Sequence, residues 1–233
     1  MTFDANYLSN KRWDEESFLN CNESMQRYYD AEFEFIKNYR INTVLDIGYG
    51  NGSFLAWCDK QGIEVSGIEI NSELLRRAKH RGIDVYVNLD EISDGRKFDL
   101  ITGLDVLEHL TIDEIESLLI RAKNLLNDNG IIFITVPNGG SPFGRYVQHG
   151  DYTHKTTIGE AMIRQIAIDV DLRITDVRDA KFPVRIGTMR NSMNRFASKI
   201  LRYLLEKSIS LIYFGTLSRP LSPVMAVMFE KIR

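Results

Sequence analysis

The strongest constraint on the fold lies between Val44 and Ser53, where a short apolar run ends in three alternating glycines. Gly48, Gly50 and Gly52 permit positive φ angles and let the backbone approach a ligand without obstruction by a Cβ atom. A helical pattern begins at Ser53, so its free N–H groups would point back into the turn. The stretch predicts a strand, a ligand-binding turn and a helix, the first unit of a doubly wound sheet. The alternative is a glycine hairpin without a ligand.

The rest of the chain continues this alternation of strands and helices. The predicted strands cover residues 43–47, 63–68, 83–87, 98–103, 131–136, 172–181 and 224–229. Thr111–Glu114 and Thr157–Glu160 have the sequence of capping boxes, and Asp128–Gly130 has that of a turn. The pattern predicts an α/β fold with a seven-stranded, doubly wound, mostly parallel sheet whose last strand is antiparallel.

The N-terminal segment, residues 1–40, is polar and aromatic, and a helix is predicted near 22–38. This helix either packs on the sheet or forms a lid over the ligand with Tyr7, Tyr28 or Tyr29. We assign the segment as an N-terminal helical lid.

The remaining residues, 41–233, are predicted to form one domain, with a basic amphipathic helix at 190–217 inserted before the last strand. The chain has a net charge of −3, but residues 178–219 carry nine Lys and Arg residues against two acidic ones. We expect the helix to pack on its own domain or on a homodimer partner, or to dock on an anionic membrane surface. The charge distribution does not indicate nucleic-acid binding.

Cysteine content and hydropathy bear on the compartment. Cys21 and Cys58 are too few for a disulfide framework, and no run of about 18 apolar residues is present. The N-terminus has no apolar core of signal-peptide type. These features predict a cytoplasmic protein, which would be peripheral at the inner face of the membrane if the basic helix docks there.

Two acidic residues flank the glycine turn and constrain its ligand. Ser53 stands where the dinucleotide fingerprint G-x-G-x-x-G has its last glycine, because the spacing here is G-x-G-x-G. Asp46 could hold a loop N–H or a cationic ligand group, and it would repel a pyrophosphate. Glu69 ends the second predicted strand, 17 residues after Gly52, where its carboxylate can accept hydrogen bonds from both ribose hydroxyls.

Four motifs in order, Asp46–Gly52, Glu69, Asp105–His109 and Asn129–Asn138, resemble those of the Rossmann-like (class I) S-adenosylmethionine-dependent methyltransferases. The resemblance covers about residues 43–180. It implies a methyltransferase that uses S-adenosylmethionine as cofactor.

The same resemblance implies which residues bind the cofactor. Gly48, Gly50 and Gly52 would follow the methionine moiety and the ribose. Glu69 would bind the ribose hydroxyls, and Asp46 would help to place the amino end.

It also implies roles for the residues that follow strands three and four. Asn88 would accept a hydrogen bond from the adenine amino group, a position where relatives often carry Asp. Leu89 would add a backbone N–H and an apolar contact, and Leu104 and Asp105 would line the methionine tail. His109 either faces the cofactor or satisfies the start of the following helix.

Acceptor chemistry is predicted in the loop after strand five. Methyl transfer is an in-line displacement, and a hydroxyl acceptor needs a proton acceptor within hydrogen-bond reach. His149, Asp151 and His154 are the candidates, and His154 is favoured because a histidine before the next helix recurs in relatives. The alternative is that His154 only orders the loop. The H-x-D-x-x-H spacing is not diagnostic of a metal site, and we predict no metal.

The Gly140–Val147 loop and Asp151–His154 further resemble methyltransferases of surface-polysaccharide and lipopolysaccharide biosynthesis. This implies O-methylation of a sugar hydroxyl on a small-molecule or glycan acceptor, which could be nucleotide- or lipid-linked. Arg145 and Lys155 could bind its phosphate. The alternatives are an N-methyltransferase of an amino sugar or small metabolite, and a catalytically silent binding subunit.

Overall fold

A computed structural model describes residues 8, 11, 13–181, 189–216 and 220–232, without the side chains of 189–199 and 202. Within these ranges the sheet has seven strands in the order β3-β2-β1-β4-β5-β7-β6. The strands are β1 Thr43–Ile47, β2 Glu64–Ile68, β3 Asp84–Tyr86, β4 Phe98–Leu104, β5 Leu126–Pro137, β6 Leu172–Asp179 and β7 Val224–Lys231. Tyr7, which was predicted in the lid, lies outside the described residues.

Strand directions confirm the predicted fold class. Strands β1 to β5 pair in parallel, and β7 pairs antiparallel with both β5 and β6. The chain runs outward from β1 to β3 and then returns to place β4 beside β1. The carboxyl ends of β1 and β4 therefore face the crevice in which doubly wound sheets bind ligands.

The helices cover both faces of the sheet. They are α1 Glu23–Glu32, α2 Ser53–Lys60, α3 Ser72–His80, α4 Ile112–Leu125, α5 Arg145–Gln148, α6 Glu160–Asp169 and α7 Met189–Phe214, with short 3₁₀ helices at Glu34–Asn38, Leu89–Glu91 and Leu107–His109. The capping box at Thr111 is confirmed, because its side chain accepts from the Glu114 N–H while the Glu114 carboxylate accepts from the Thr111 N–H.

Two local predictions were wrong. Thr157 does not cap α6: Gly159 is the N-cap residue and has no side chain for that bond. The predicted turn at Asp128–Gly130 lies inside β5, where the pairing with β4 jumps from Leu126 to Ile131 as an irregularity.

Alternation along β1 divides the core between the two faces of the sheet. Leu45 belongs to a fully buried cluster that includes Ile115 of α4. Val44 points to the other face, where α1 and α2 contribute an aromatic group. Phe33 packs against Phe54 with ring centroids 4.6 Å apart. The region before β1 thus lies against the sheet as well as near the crevice.

Among the described residues, no helix is long and apolar enough to span a membrane.

Candidate functional site

A cleft of about 1570 Å³ opens at the carboxyl ends of β1, β2 and β4. Most of the residues predicted to bind a ligand line this cleft. They are Asp46, Gly48, Gly50, Glu69, Asn88, Leu89, Leu104, Asp105, His109, Asp151 and His154. Gly52 and His149 are not among its lining residues. The fold therefore brings together residues that are more than a hundred positions apart in the sequence.

The glycine turn adopts the left-handed conformation that its sequence predicts. Gly48, Gly50 and Gly52 have φ angles of +69°, +53° and +73°. A Cβ atom on Gly50 would lie 2.7 Å from the Trp13 ring, and one on Gly52 would lie 2.7 Å from Leu19. Larger residues are thus opposed by backbone strain and by the N-terminal segment that covers the turn. Gly52 acts as the N-cap of α2 rather than as a wall of the cleft.

Glu69 fixes the shape of the turn from the end of β2. Its Oε2 accepts from the Gly50 N–H at 3.1 Å, and its Oε1 accepts from the N–H groups of Ile70 and Asn71 at 2.8 and 3.0 Å. A carboxylate has about four acceptor positions, so one position on Oε2 remains for a ligand. Burial raises the pKa of Glu69, and the three N–H bonds oppose this shift.

Asp46 is a buried acid at the base of the cleft. Its Oδ1 accepts from the Thr102 hydroxyl at 2.7 Å, and the structure gives it no bond to a loop N–H. The pKa of Asp46 is raised from 3.8 to about 7. Burial is the largest cause, the Thr102 hydrogen bond opposes the shift, and the negative charge of Glu69 adds to it. A cationic ligand group beside Asp46 would stabilise its charged form.

Asp46→Asn is expected to stabilise the unliganded protein on the order of 3 kcal/mol at pH 8. The folded-state pKa lies above the unfolded value, so the stability that Asp46 contributes is lost as the pH rises from about 4 to about 7. Asparagine still accepts from Thr102 but carries no charge. Urea unfolding at pH 5 and pH 8, with the exposed Asp59→Asn as control, measures the effect. Equal pH dependence in the wild type and Asp46→Asn would contradict it.

The end of β4 places a strained acid in the cleft. Asp105 has a φ of +56°, which is uncommon for a residue other than glycine and is concentrated at functional sites. Its Oδ1 accepts from the Thr135 hydroxyl at 3.1 Å, and its N–H donates to the Thr135 carbonyl. Burial raises the pKa of Asp105. Leu104 lines the cleft beside it.

The residues after β3 form the other end of the cleft. Asn88 is the N-cap of a 3₁₀ helix, and its Oδ1 accepts from the Asp90 N–H at 2.9 Å. The second lone pair of that oxygen is available to a ligand donor. Leu89 is buried beside it and lines the same part of the cleft.

Two histidines meet where the Leu107–His109 turn contacts the 153–156 segment. The Glu108 carbonyl accepts from the N–H groups of Lys155 and Thr156, which joins the segments. The rings of His109 and His154 pack edge to face with centroids 4.7 Å apart. His109 bonds Thr153 through Nδ1 and does not cap α4, because Thr111 does.

The other two acceptor-side candidates have different surroundings. Asp151 accepts from the backbone N–H and hydroxyl of Thr153 and pairs with Lys11 at 3.4 Å. Although burial opposes it, these contacts lower the pKa of Asp151 to about 2. His149 is exposed at the end of α5, outside the lining of the cleft.

The described part of the N-terminal segment lies over the glycine turn. The Leu19 N–H donates to the Asn51 carbonyl, and the Asn51 side chain donates to the Ser17 carbonyl. Tyr29 is buried and its hydroxyl lies 2.8 Å from Ser53 Oγ, and both Tyr28 and Tyr29 line the cleft. Trp13 also lines the cleft.

Sequence reasoning missed Glu108. This residue is 1% exposed and lies in the cleft between Asp105 and the two histidines. Burial, with the charges of Asp105 and Asp151, raises the pKa of Glu108 to about 8. The signal in the sequence was its place in the 105–109 motif. That signal is weak, because an acid beside a histidine is also typical of a solvent-exposed helix start.

Comparisons with known proteins show the family to which the chain belongs. A family profile described as "Methyltransferase domain" matches residues 21–174. The ubiquinone biosynthesis O-methyltransferase of Pasteurella multocida (strain Pm70) is 30% identical over 113 residues, covering 41% of this chain and 46% of that protein. The enzyme of the same description from Escherichia coli (strain SMS-3-5 / SECEC) is 23% identical over 159 residues, covering 57% and 65%. The chain thus spans less than two thirds of either relative.

Solved structures show the same fold. A SAM dependent methyltransferase from Archaeoglobus fulgidus superposes with a TM-score of 0.65 at 19% identity, covering 98% of this chain and 100% of the other. The magnesium protoporphyrin IX methyltransferase from Synechocystis PCC 6803, solved with bound SAH, gives a TM-score of 0.60 at 13% identity, covering 97% of both chains.

Proposed function

The chain belongs to the methyltransferase domain family and is an S-adenosylmethionine-dependent methyltransferase, and we propose that it methylates a sugar hydroxyl in surface-glycan biosynthesis. The observation that carries the acceptor side of this proposal is the position of His154 in the cleft. Its side chain is only 8% exposed, and its Nδ1 is held by the Gln148 carbonyl at 2.8 Å. A carbonyl only accepts hydrogen bonds, so Nδ1 carries the proton and Nε2 has a free lone pair.

The cleft fits the cofactor by its shape and by the chemistry of its walls. Glu69 would bind the ribose through the open position on Oε2, and the glycine turn would follow the methionine moiety. Asp46 and Asp105 would lie toward the cationic end, and Asn88 with Leu89 toward the adenine. Bound S-adenosylmethionine would supply an electrophilic methyl group on a sulfonium. Two acids that line the cleft, both with raised pKa values, are suited to a cationic ligand, which offsets the cost of their ionisation.

On the acceptor side, His154 would take the proton of the hydroxyl as its oxygen forms the bond to the methyl carbon. Bound S-adenosylmethionine would supply the methyl group, and its sulfur would keep the electron pair of the carbon–sulfur bond. Asp151 would orient Thr153, which in turn holds His109. Alignment of the reacting atoms supplies much of the rate acceleration, and the proton acceptor supplies about 10²–10⁴-fold.

The description of the curated relatives as O-methyltransferases supports oxygen as the acceptor atom. The choice of a sugar rests on the sequence resemblance of Gly140–Val147 and Asp151–His154 described above. Lys155 lines the cleft, so its ammonium group can bind an acceptor phosphate. Its Nζ also pairs with Glu114 at 3.0 Å. Arg145 is exposed on α5, outside the cleft lining.

A mass-shift screen with methyl-labelled S-adenosylmethionine tests the acceptor. Nucleotide-linked and lipid-linked sugars should gain one label on oxygen, whereas matched amino sugars without a free hydroxyl should gain none. Labelling only on nitrogen would favour the N-methyltransferase alternative. No transfer to any acceptor, together with no cofactor binding, would favour the silent subunit.

We also propose that α7 docks on an anionic membrane surface, where a lipid-linked acceptor would lie. Five exposed apolar residues recur on one face of its described part, and Lys207 flanks them. They are Leu201, Leu204, Leu205, Leu211 and Ile212. The excess of basic residues in the 178–219 segment complements anionic lipid.

Ile212→Glu is expected to weaken co-sedimentation with phosphatidylglycerol-containing vesicles by at least about tenfold. The reason is that a charge replaces an apolar side chain that docking would bury in the membrane surface. Ile168→Glu is the matched control, since Ile168 of α6 is 74% exposed and Ile212 is 75% exposed. Binding of the wild type should fall with added salt. Vesicle binding that does not depend on salt would contradict docking. So would a wild type that binds no vesicles and instead forms a concentration-dependent dimer that Ile212→Glu does not form.

A further inference from the structure

Three side chains that can each offer an electron pair meet in the cleft. One ligand atom each of Glu108, His109 and His154 lies within 4.8 Å of the other two. Glu108 is 1% exposed, and its Oε2 has no hydrogen-bond partner among the residues that the structure describes. A buried carboxylate oxygen without a partner is costly, so an unpaired group of this kind points to a missing cation or donor.

His154 contributes a lone pair to this group. Its Nδ1–H donates to the Gln148 carbonyl, so the neutral ring leaves Nε2 unprotonated. That Nε2 lies 4.0 Å from Glu108 Oε1. This separation is too long for a hydrogen bond, so a proton on Glu108 would not join the two atoms.

His109 is set in the same tautomer by a chain of hydrogen bonds. The Thr153 hydroxyl gives its single proton to Asp151 Oδ1 at 2.6 Å, because an ionised carboxylate can only accept. Thr153 Oγ1 must therefore accept from His109 Nδ1–H, 2.9 Å away. Nε2 of His109 thus keeps its lone pair.

We infer that Glu108, His109 and His154 form a binding site for a divalent transition-metal ion such as Zn²⁺ or Mn²⁺. Two imidazoles and one carboxylate are a ligand set that suits these ions better than Mg²⁺ or Ca²⁺. The Gln148 carbonyl and the Asp151–Thr153 pair hold the distal Nδ1–H groups, as outer partners of metal-bound histidines do.

The geometry requires only a small closure to hold an ion. Ligand atoms bound at about 2.0–2.2 Å to one ion are about 3–4 Å apart, so each pair of these atoms, now within 4.8 Å, must approach by at most about 1–2 Å. Three protein ligands leave coordination positions open toward the cleft. This set differs from the His149, Asp151 and His154 spacing considered in the sequence, and it replaces the prediction of no metal.

The site deepens the proposed function and rests on it only for the identity of the acceptor. An acceptor hydroxyl bound to the ion would lose its proton to water more readily than a free hydroxyl. His154, whose lone pair is then used for coordination, would accept that proton directly only in the metal-free enzyme. An acceptor with two neighbouring oxygens, such as a vicinal diol, would occupy two open positions.

Metal analysis after dialysis tests the site without cofactor or acceptor. Chelator-stripped wild type, dialysed against Mn²⁺ and separately against Zn²⁺, should retain one equivalent, and bound Mn²⁺ should lose its free-ion electron paramagnetic resonance signal. Glu108→Gln and His109→Ala should each bind at least about tenfold more weakly. His80→Ala on α3 and Glu116→Gln on α4, at positions outside the lining of the cleft, should bind as the wild type does.

Cofactor calorimetry on the same samples separates the possible failures. If wild type binds S-adenosylmethionine but retains no stoichiometric Mn²⁺ or Zn²⁺, the metal site is overturned while the methyltransferase assignment stands. Unchanged metal binding in Glu108→Gln would also overturn it. A saturable metal site lost in both variants supports the inference whether or not an acceptor has been identified.

Discussion

Glu69→Ala is expected to reduce S-adenosylmethionine affinity by about 10²–10⁴-fold in calorimetry. A hydrogen bond to a charged group contributes about 1.5–3 kcal/mol, and the variant loses the ribose contact together with the bond that fixes Gly50. Alanine also frees the N–H groups of Ile70 and Asn71, so the end of β2 should loosen.

Glu64→Ala is the matched control for this result, because Glu64 begins the same strand and is exposed. Its affinity for the cofactor should stay within about twofold of the wild type. Thermal unfolding of both variants shows whether the loss follows from unfolding. Wild-type affinity in a folded Glu69→Ala protein would contradict the role assigned to this carboxylate.

His154→Ala is expected to lower turnover by about 10²–10⁴-fold while leaving cofactor affinity nearly unchanged. The side chain lies in the cleft near Glu108, in the part proposed to bind the acceptor, whereas the glycine turn and Glu69 lie in the part proposed to bind the cofactor. The loss should therefore appear in kcat, measured with the acceptor that the mass-shift screen identifies.

His80→Ala provides the comparison, since this histidine is exposed at the end of α3. It should have wild-type turnover and cofactor affinity. Equal turnover in His154→Ala and wild type would remove the proposed role of His154 as proton acceptor. A matching loss of cofactor affinity would indicate that His154 supports the fold of the cleft.

Local sequence rules predicted most of the fold. Strand β1, the turn and α2 follow from an apolar run, glycine spacing and helical periodicity, all of which act within a few residues. The Thr111 capping box is local in the same way. The Thr157 prediction failed where distant segments meet: Gly139 lies against Thr157, and its N–H donates to the Ile158 carbonyl just before the N-cap Gly159.

The residues of the candidate site also differ in whether local sequence rules could predict them. The turn, Glu69 and Asp105 were predictable because strand ends in a parallel sheet meet at one edge. The group of Glu108, His109 and His154 was not, because it depends on the Glu108 carbonyl pairing with the N–H groups after His154. The cover over Gly50 likewise depends on Trp13, whose sequence context carries no sign of that contact.

A crystal structure with S-adenosylhomocysteine would test the central assignment most directly. We predict that the ribose hydroxyls will lie within hydrogen-bond distance of Glu69 and the methionine moiety along the turn from Gly48. The adenine should lie beside Leu89. A cofactor product bound elsewhere in the cleft, with Glu69 still bonded only to Gly50, Ile70 and Asn71, would contradict the account.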